Sequence, residues 1–125
     1  MIRIAVLLFL SSLIFTACHK STAPNNPPEI PSNIYPLNAA ENVMQAGEIY
    51  LEWECSDTDG DELKYNVYIC RLGWTDFYLV GEHQTETVCQ GFQWTWEYHE
   101  MYAWKVVAYD SQGDSTSSPV WYFIG

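Results

Sequence analysis

The sequence has few basic side chains, since five lysines and arginines stand against 16 aspartates and glutamates in 125 residues. A surface with this excess of negative charge repels nucleic acid and anionic lipid, so the composition excludes a nucleic-acid binder. Long hydrophobic runs are missing after residue 17, which excludes a protein with several membrane spans. Phe, Tyr and Trp, in contrast, make up 16% of the chain, too large a share for a disordered polymer, and predict one packed domain.

Motifs of known catalytic sites are also missing. The sequence has neither a Gly-x-Ser-x-Gly elbow nor a glycine-rich phosphate loop. His99 and Glu100 begin a pattern similar to that of zinc proteases, but Ala103 stands where the second histidine ligand is needed. The sequence therefore predicts a protein that is not an enzyme and needs no cofactor, apart from the calcium ion considered below.

The first 31 residues predict targeting and tethering. Residues 4–15 form an almost wholly apolar stretch that follows Arg3 and is too short to span a bilayer. Residues 15–18 resemble the lipobox of bacterial lipoproteins, which implies that residues 1–17 are removed and that Cys18 carries acyl chains such as palmitate. His19 follows in place of the Asp that resembles an inner-membrane signal, so we expect the outer membrane, with the face left open. Residues 18–31 contain four prolines and predict an extended linker.

Residues 32–125 alternate between apolar and polar side chains with the period of two that is typical of β-strands. This pattern predicts a short strand at Tyr35 and longer strands at residues 49–55, 63–69, 77–80, 85–94, 102–109 and 121–123. Gly81 is predicted to separate two of these strands, and Gly91 to form a bulge. About seven short strands in this length predict an all-β, immunoglobulin-like sandwich.

Several of these residues together resemble the fibronectin type III family. Trp53 stands where that family has a core tryptophan, and Tyr102 stands at the position of its corner tyrosine. Trp96, six positions earlier, replaces the usual leucine, while residues 57–65 and 121–123 are similar to bacterial members. The resemblance implies a fibronectin type III-like β-sandwich over residues 32–125, and such domains usually bind or space without catalysing reactions.

Five aspartates are predicted to meet at one end of this sandwich, because the loops that carry them emerge at the same pole. They are Asp57, Asp59, Asp61, Asp110 and Asp114. Carboxylate oxygens are ligands for Ca²⁺, and a weak calcium site is one interpretation. A turn built on Asp and Gly is the other, since the spacing does not fit an EF-hand.

Three cysteines remain after Cys18, an odd number for an oxidising compartment. A disulfide, if one forms, is expected to join Cys89 to Cys55 or to Cys70. The sequence does not choose between these pairings, and a core position without a bridge is the simpler interpretation of Cys55.

Aromatic side chains give the main indication of function. Tyr68, Tyr109 and Tyr122 fall on the outward positions of their strands, and Trp74 follows the third strand. An exposed aromatic face is typical of a surface that binds a protein or stacks on sugar rings, although long neighbouring side chains can also cover it. We therefore expect a lipid-anchored, non-catalytic binding or adhesion module that contacts another envelope protein. A carbohydrate-binding module and a structural accessory subunit without ligand are the alternatives.

Overall fold

The computed structural model describes residues 23–46, 49–90 and 96–125. The strands in these residues are Ser32–Tyr35 (β1), Leu51–Glu54 (β2), Lys64–Arg71 (β3), Tyr78–Gln84 (β4), Val88–Cys89 (β5), Met101–Tyr109 (β6), Ser115–Ser117 (β7) and Trp121–Ile124 (β8). One 3-10 turn occupies Val43–Ala46. Within the described ranges, no helix is both long and apolar enough to cross a membrane. The predicted signal peptide, Cys18 and Gly91 lie outside the described residues.

The strands form two antiparallel sheets. The smaller sheet has the order β1-β2-β5, and the larger has the order β4-β3-β6, with β7 and β8 both paired to the same edge of β6. β7 pairs with the second half of β6 and β8 with the first half, so the two are one strand path interrupted around Pro119, which has no N–H to donate. This arrangement confirms the predicted all-β sandwich and explains eight strands where about seven are expected.

The core lies between the two sheets and is built mainly from the inward side chains of β2, β3, β6 and β8. Trp53 of the smaller sheet meets Tyr65 of the larger sheet edge to face, with ring centroids 5.3 Å apart. The alternation predicted for these strands is confirmed, because the buried set includes Leu51, Trp53, Tyr65, Val67, Ile69, Tyr102, Trp104, Val106, Ala108, Trp121 and Phe123. Six of these buried side chains are aromatic, so aromatic rings make up a large part of the core.

Tyr102 holds the segment before β6 against the core. Its hydroxyl accepts a hydrogen bond from the backbone N–H of Glu97 at 2.9 Å. The Trp96 ring packs edge to face on the Tyr102 ring at 4.8 Å between centroids and also contacts Phe123. The corner position predicted for Tyr102 is confirmed, and Trp96 fills the space beside it.

The prediction that Gly81 separates two strands is wrong. β4 continues through this residue to Gln84, and the pairing of β4 with β3 changes register there. A Cβ atom at Gly81 would lie 3.1 Å from the Val67 Cγ2 atom and would overlap the Gln84 side chain. Glycine is thus needed for close packing inside a strand, not for a turn. The predicted strand at residues 85–94 is represented by β5 alone, and residues 91–95 lie outside the described part.

Candidate functional site

The outer face of the larger sheet carries the predicted aromatic surface. The register places Cys70 beside Ala103 and Ala103 beside Tyr122, in one row across β3, β6 and β8. Tyr68 lies beside Lys105 in the next row towards the other end of the sheet. The small side chains of Cys70 and Ala103 leave a depression in the first row.

We call this depression the distal groove. Its volume is about 170 Å³. Its described lining residues are Cys70, Arg71, Leu72, Gly73, Trp74, Phe77, Met101, Tyr102, Ala103 and Tyr122. Met101 and Tyr122 also line a neighbouring depression of about 430 Å³, whose other walls are formed by residues 39–41, Phe123 and Ile124. The two depressions make one apolar surface on both sides of Tyr122.

Only part of the predicted aromatic surface lies in the distal groove. Tyr122 and Trp74 line it, and they are 45% and 38% exposed. Tyr68 is half-buried, with the Lys105 Nζ atom 5.5 Å from its ring centroid. Tyr109 is also half-buried and has the His83 ring at 5.9 Å. The structure therefore brings together two of the four predicted residues.

Several apolar side chains of the distal groove, including Phe77, are not among the predicted residues. Leu72, 65% exposed, follows β3, and Met101 and Ala103 begin β6. Alternation places Ala103 outward, but the neighbours across the sheet depend on the pairing register. The outward small residue was thus visible in the sequence, whereas the depression it forms was not.

Arg71 is the charged residue among the described walls of the distal groove. Its Nη1 atom lies 3.0 Å from Glu97 Oε1, and its Nη2 atom lies 3.1 Å from Glu100 Oε1. The hydrogen bond with Glu97, followed by Glu100, raises the pKa of Arg71 above its usual value. Because two carboxylates already neutralise this guanidinium, it attracts an anionic ligand only weakly.

The acidic loops lie at the opposite end of the larger sheet, which we call the acidic end. Lys64 at the start of β3 pairs with Tyr109 at the end of β6, so the loops at residues 55–63 and 110–114 are adjacent. Ligand atoms of Asp57, Asp59 and Asp61 lie within 4.8 Å of one another. The first acidic loop is therefore compact, with three carboxylates on one side.

A turn organises this loop. The Oδ1 atom of Asp57 accepts hydrogen bonds from the N–H groups of Asp59 at 2.9 Å and Asp61 at 3.2 Å. The remaining Oδ2 atoms of Asp57 and Asp61 are shielded from solvent and have no hydrogen-bond donor. Two shielded carboxylate oxygens without donors are costly, and a bound cation would offset that cost.

Asp110 and Asp114 are held differently. The side-chain amide of Asn25 donates to the Oδ2 atoms of both residues, each at 2.7 Å. Asp110 Oδ1 also accepts from the N–H groups of Gln112 and Asp114, each at 2.9 Å. The Asn25 hydrogen bond, followed by these backbone N–H groups, lowers the pKa of Asp110 below its usual value. Asn25 thus connects the N-terminal segment to the second acidic loop.

Residues 25–31, which the proline pattern assigns to the linker, lie against the sandwich. We call them the strap. Asn26 donates to Asp59 through its backbone N–H at 2.7 Å and through its side chain at 3.1 Å. Pro28 O accepts from the Thr116 hydroxyl at 2.6 Å, and Pro28 is itself buried. The strap is ordered because these contacts join residues 33 to 89 positions apart, which local composition does not reveal.

The cysteines in the described ranges are free thiols. Cys89 lies in the core, Cys70 faces outward on the other sheet, and Cys55 follows β2. Burial raises the pKa of all three thiols, that of Cys89 to about 11. Neither pairing considered for a disulfide, Cys89 with Cys55 or with Cys70, is therefore formed in the described structure.

Comparison with known proteins identifies no ligand for this chain. No protein-family model matches the sequence, and no curated protein matches it either. One similar solved structure is the fibronectin type III domain of human fibronectin type III domain containing protein 3. It is 19% identical, covers 82% of this chain and 90% of that chain, and has a TM-score of 0.45. The two-sheet strand order and the Tyr102 corner give the chain a fibronectin type III-like fold.

Proposed function

We propose that this protein is a lipid-anchored, non-catalytic binding module of the bacterial cell envelope and that its partner is another envelope protein. A fibronectin type III-like domain is typically a binding or structural module. The observation that carries the binding role is the distal groove, together with the neighbouring depression across Tyr122. An apolar surface of this kind on a single domain is typical of a protein contact site.

The chemistry of the distal groove favours a protein partner over a sugar. A sugar site needs polar side chains that bond the ring hydroxyls, in addition to aromatic rings. Among the described walls, Leu72, Met101, Cys70 and Ala103 offer no such groups, and Arg71 is bound to two glutamates. The groove therefore suits an apolar side chain of another protein.

The anchor follows from the N-terminal sequence. Residues 15–18 resemble a lipobox, with Phe15 in place of the usual leucine, and the stretch before them has the charge and length of a signal peptide. With acyl chains on Cys18, the domain would be concentrated at a membrane surface, where a groove of modest size binds effectively because of the high local concentration.

Site-specific cross-linking in the native bacterium tests the binding role. A photo-reactive phenylalanine analogue replaces Tyr122 in one strain and Tyr98 in a control strain. Tyr98 is 63% exposed and is not a described wall of either depression. We expect an adduct with one defined envelope protein from position 122 and none from position 98. The Tyr122→Ser variant should lose co-purification of that protein, and Tyr98→Ser should retain it.

Three results would contradict parts of this proposal. Equal cross-linking from both positions would remove the distal groove as the binding surface. Specific binding on a glycan array that Tyr122→Ser abolishes would replace the protein partner by a sugar. A native protein whose intact mass lacks acyl chains would remove the lipid anchor.

A further inference from the structure

We infer that the strap fixes the height and orientation of the domain above the membrane, with the acidic end towards the bilayer and the distal groove away from it. This inference rests on the proposed lipid anchor at Cys18.

The strap crosses from one sheet to the other. On the smaller sheet, the N–H of Glu29 donates to Ser56 O at 2.9 Å, just after β2. On the larger sheet, Pro28 O accepts from Thr116 of β7 at 2.6 Å. Pro28 and Pro31 are both buried. The strap is thus packed across the seam between the sheets and moves with the domain.

The N-terminal end of the strap is bound to both acidic loops by two neighbouring asparagines. Asn25 binds Asp110 and Asp114, and Asn26 binds Asp59. Hydrogen bonds that end on a carboxylate are roughly twice as strong as those between neutral groups. The amides are uncharged, so these bonds leave the negative charge of the acidic end in place, and an anionic bilayer still repels it.

Docking of the strap shortens the spacer. From Cys18 to Asn25 there are seven residue steps, which span at most about 25 Å. If the strap were released, the spacer would run from Cys18 to Ser32, with 14 steps and a limit of about 50 Å. The docked strap therefore halves the height at which the domain can lie and attaches it at a single end.

The distal groove lies at the far end of the same sheet. β3 and β6 pair from Lys64 and Tyr109 at the acidic end to Arg71 and Tyr102 beside the groove. The seven residue steps from Lys64 to Arg71 correspond to about 24 Å. A domain attached at the acidic end consequently presents the groove to partners beyond the membrane surface, and lipid does not cover it.

The test uses the lipidated full-length protein on supported bilayers that contain anionic lipid. The Asn25→Ala, Asn26→Ala double variant removes the side-chain contacts with the acidic loops. Gln112→Ala is the control, because it removes an exposed amide from the second acidic loop and leaves the side chains of the strap in place. Neutron reflectivity gives the protein density against height. We expect a compact layer for the native protein and the control. The layer of the double variant should extend about 10 Å further, because the spacer then runs to Pro28, which the hydrogen bond from Thr116 still holds.

Hydrogen exchange tests the strap separately on unlipidated Cys18→Ser protein. The Glu29 N–H should exchange roughly tenfold faster or more in the double variant than in the control, since charge-assisted hydrogen bonds are lost. Unchanged exchange, or a native layer already as extended as that of the variant, would overturn the strap while leaving the anchor intact. Absence of acyl mass on Cys18 would overturn the proposed function and, with it, the orientation.

Discussion

Tyr102 combines packing and hydrogen bonding in one side chain. Its ring is buried between Trp96 and Phe123, and its hydroxyl accepts from Glu97 N. The backbone N–H of Glu97 therefore has its partner only while the tyrosine stays in place. At this position a phenylalanine would keep the packing and lose the hydrogen bond.

We accordingly expect Tyr102→Phe to lower the free energy of unfolding by about 1–2 kcal/mol, because the donor at Glu97 loses its acceptor. For a domain of this size the loss corresponds to a melting temperature roughly 5–10 °C lower. Urea unfolding followed by tryptophan fluorescence measures it. Tyr122→Phe is the matched control, and an equal effect of both substitutions would show that the corner hydrogen bond adds nothing.

Buried titratable groups predict a loss of stability at alkaline pH. Burial raises the pKa of Cys89 from 9.0 to about 11, and burial, followed by Cys55, raises that of Tyr65 from 10.0 to about 12. Between these values the unfolded chain releases protons that the folded protein keeps. The free energy of unfolding should therefore be fully present below about pH 9 and fall as the pH rises towards 11–12.

Urea midpoints measured across this range test the prediction. Cys89→Ala should flatten the pH dependence between about pH 9 and 11, because it removes one of the groups that titrate there. A midpoint that does not change with pH, in a protein shown to remain reduced, would contradict the assignment.

At the scale of elements, the strands with regular alternation were predictable and the long-range contacts were not. The inward residues of β3 and β6 stand at every second position and follow from the sequence, whereas the burial of Asn66 and Ala103 between them does not. β4 does not alternate in this way, because Gly81 marks a close approach to Val67 that looks like a turn in the sequence. The strap and the distal groove depend on partners far apart in the chain, such as Asn25 with Asp110, which no local pattern encodes.

Calcium binding at the first acidic loop stays a prediction. The buried carboxylate oxygens indicate which atoms would bind the ion. Because the Oδ2 atoms of Asp57 and Asp61 have no donor, we expect Ca²⁺ to bind there with a dissociation constant of about 0.1–1 mM. Calorimetry of the chelator-treated protein measures the heat of binding. Asp61→Asn should weaken it at least about tenfold, since one anionic ligand is lost.

Asp76→Asn is the control for this experiment, because Asp76 lies outside the acidic loops. It should leave the binding unchanged. No heat and no rise in melting temperature with calcium would establish that residues 57–61 form a turn and nothing more.

The packing around Gly81 predicts a specific cost for a side chain in β4. Gly81→Ala should lower the free energy of unfolding by about 1–3 kcal/mol, because the added methyl group overlaps the Gln84 side chain and crowds Val67. The same substitution in a Gln84→Ala background should cost less, since the main obstacle is gone. Equal costs in both backgrounds, measured by urea unfolding, would exclude this contact as the cause.

The whole molecule separates its charge from its apolar surface. Five aspartates gather at the acidic end, and the distal groove lies at the other end of the larger sheet. The net charge of −11 adds a general repulsion that opposes compactness. Composition predicts this excess charge, whereas its concentration at one end follows only from the register of β3 and β6.

Screening should therefore stabilise the protein. We expect the melting temperature to rise by a few degrees when potassium chloride is increased from about 0.01 M to about 0.15 M, where the Debye length falls from about 30 Å to about 8 Å. Calorimetry without divalent ions measures the effect. A melting temperature that stays constant or falls would show that self-repulsion does not limit stability.

The interruption at Pro119 limits how copies of this protein can associate when they are crowded on one surface. It divides the outermost strand path of the larger sheet into β7 and β8, while the opposite edge, β4, carries two register shifts against β3. Neither edge of the larger sheet therefore offers a long, straight row of free N–H and C=O groups with which a strand of an identical chain could pair. Copies packed side by side on one surface would therefore not join through their larger sheets into a continuous ribbon.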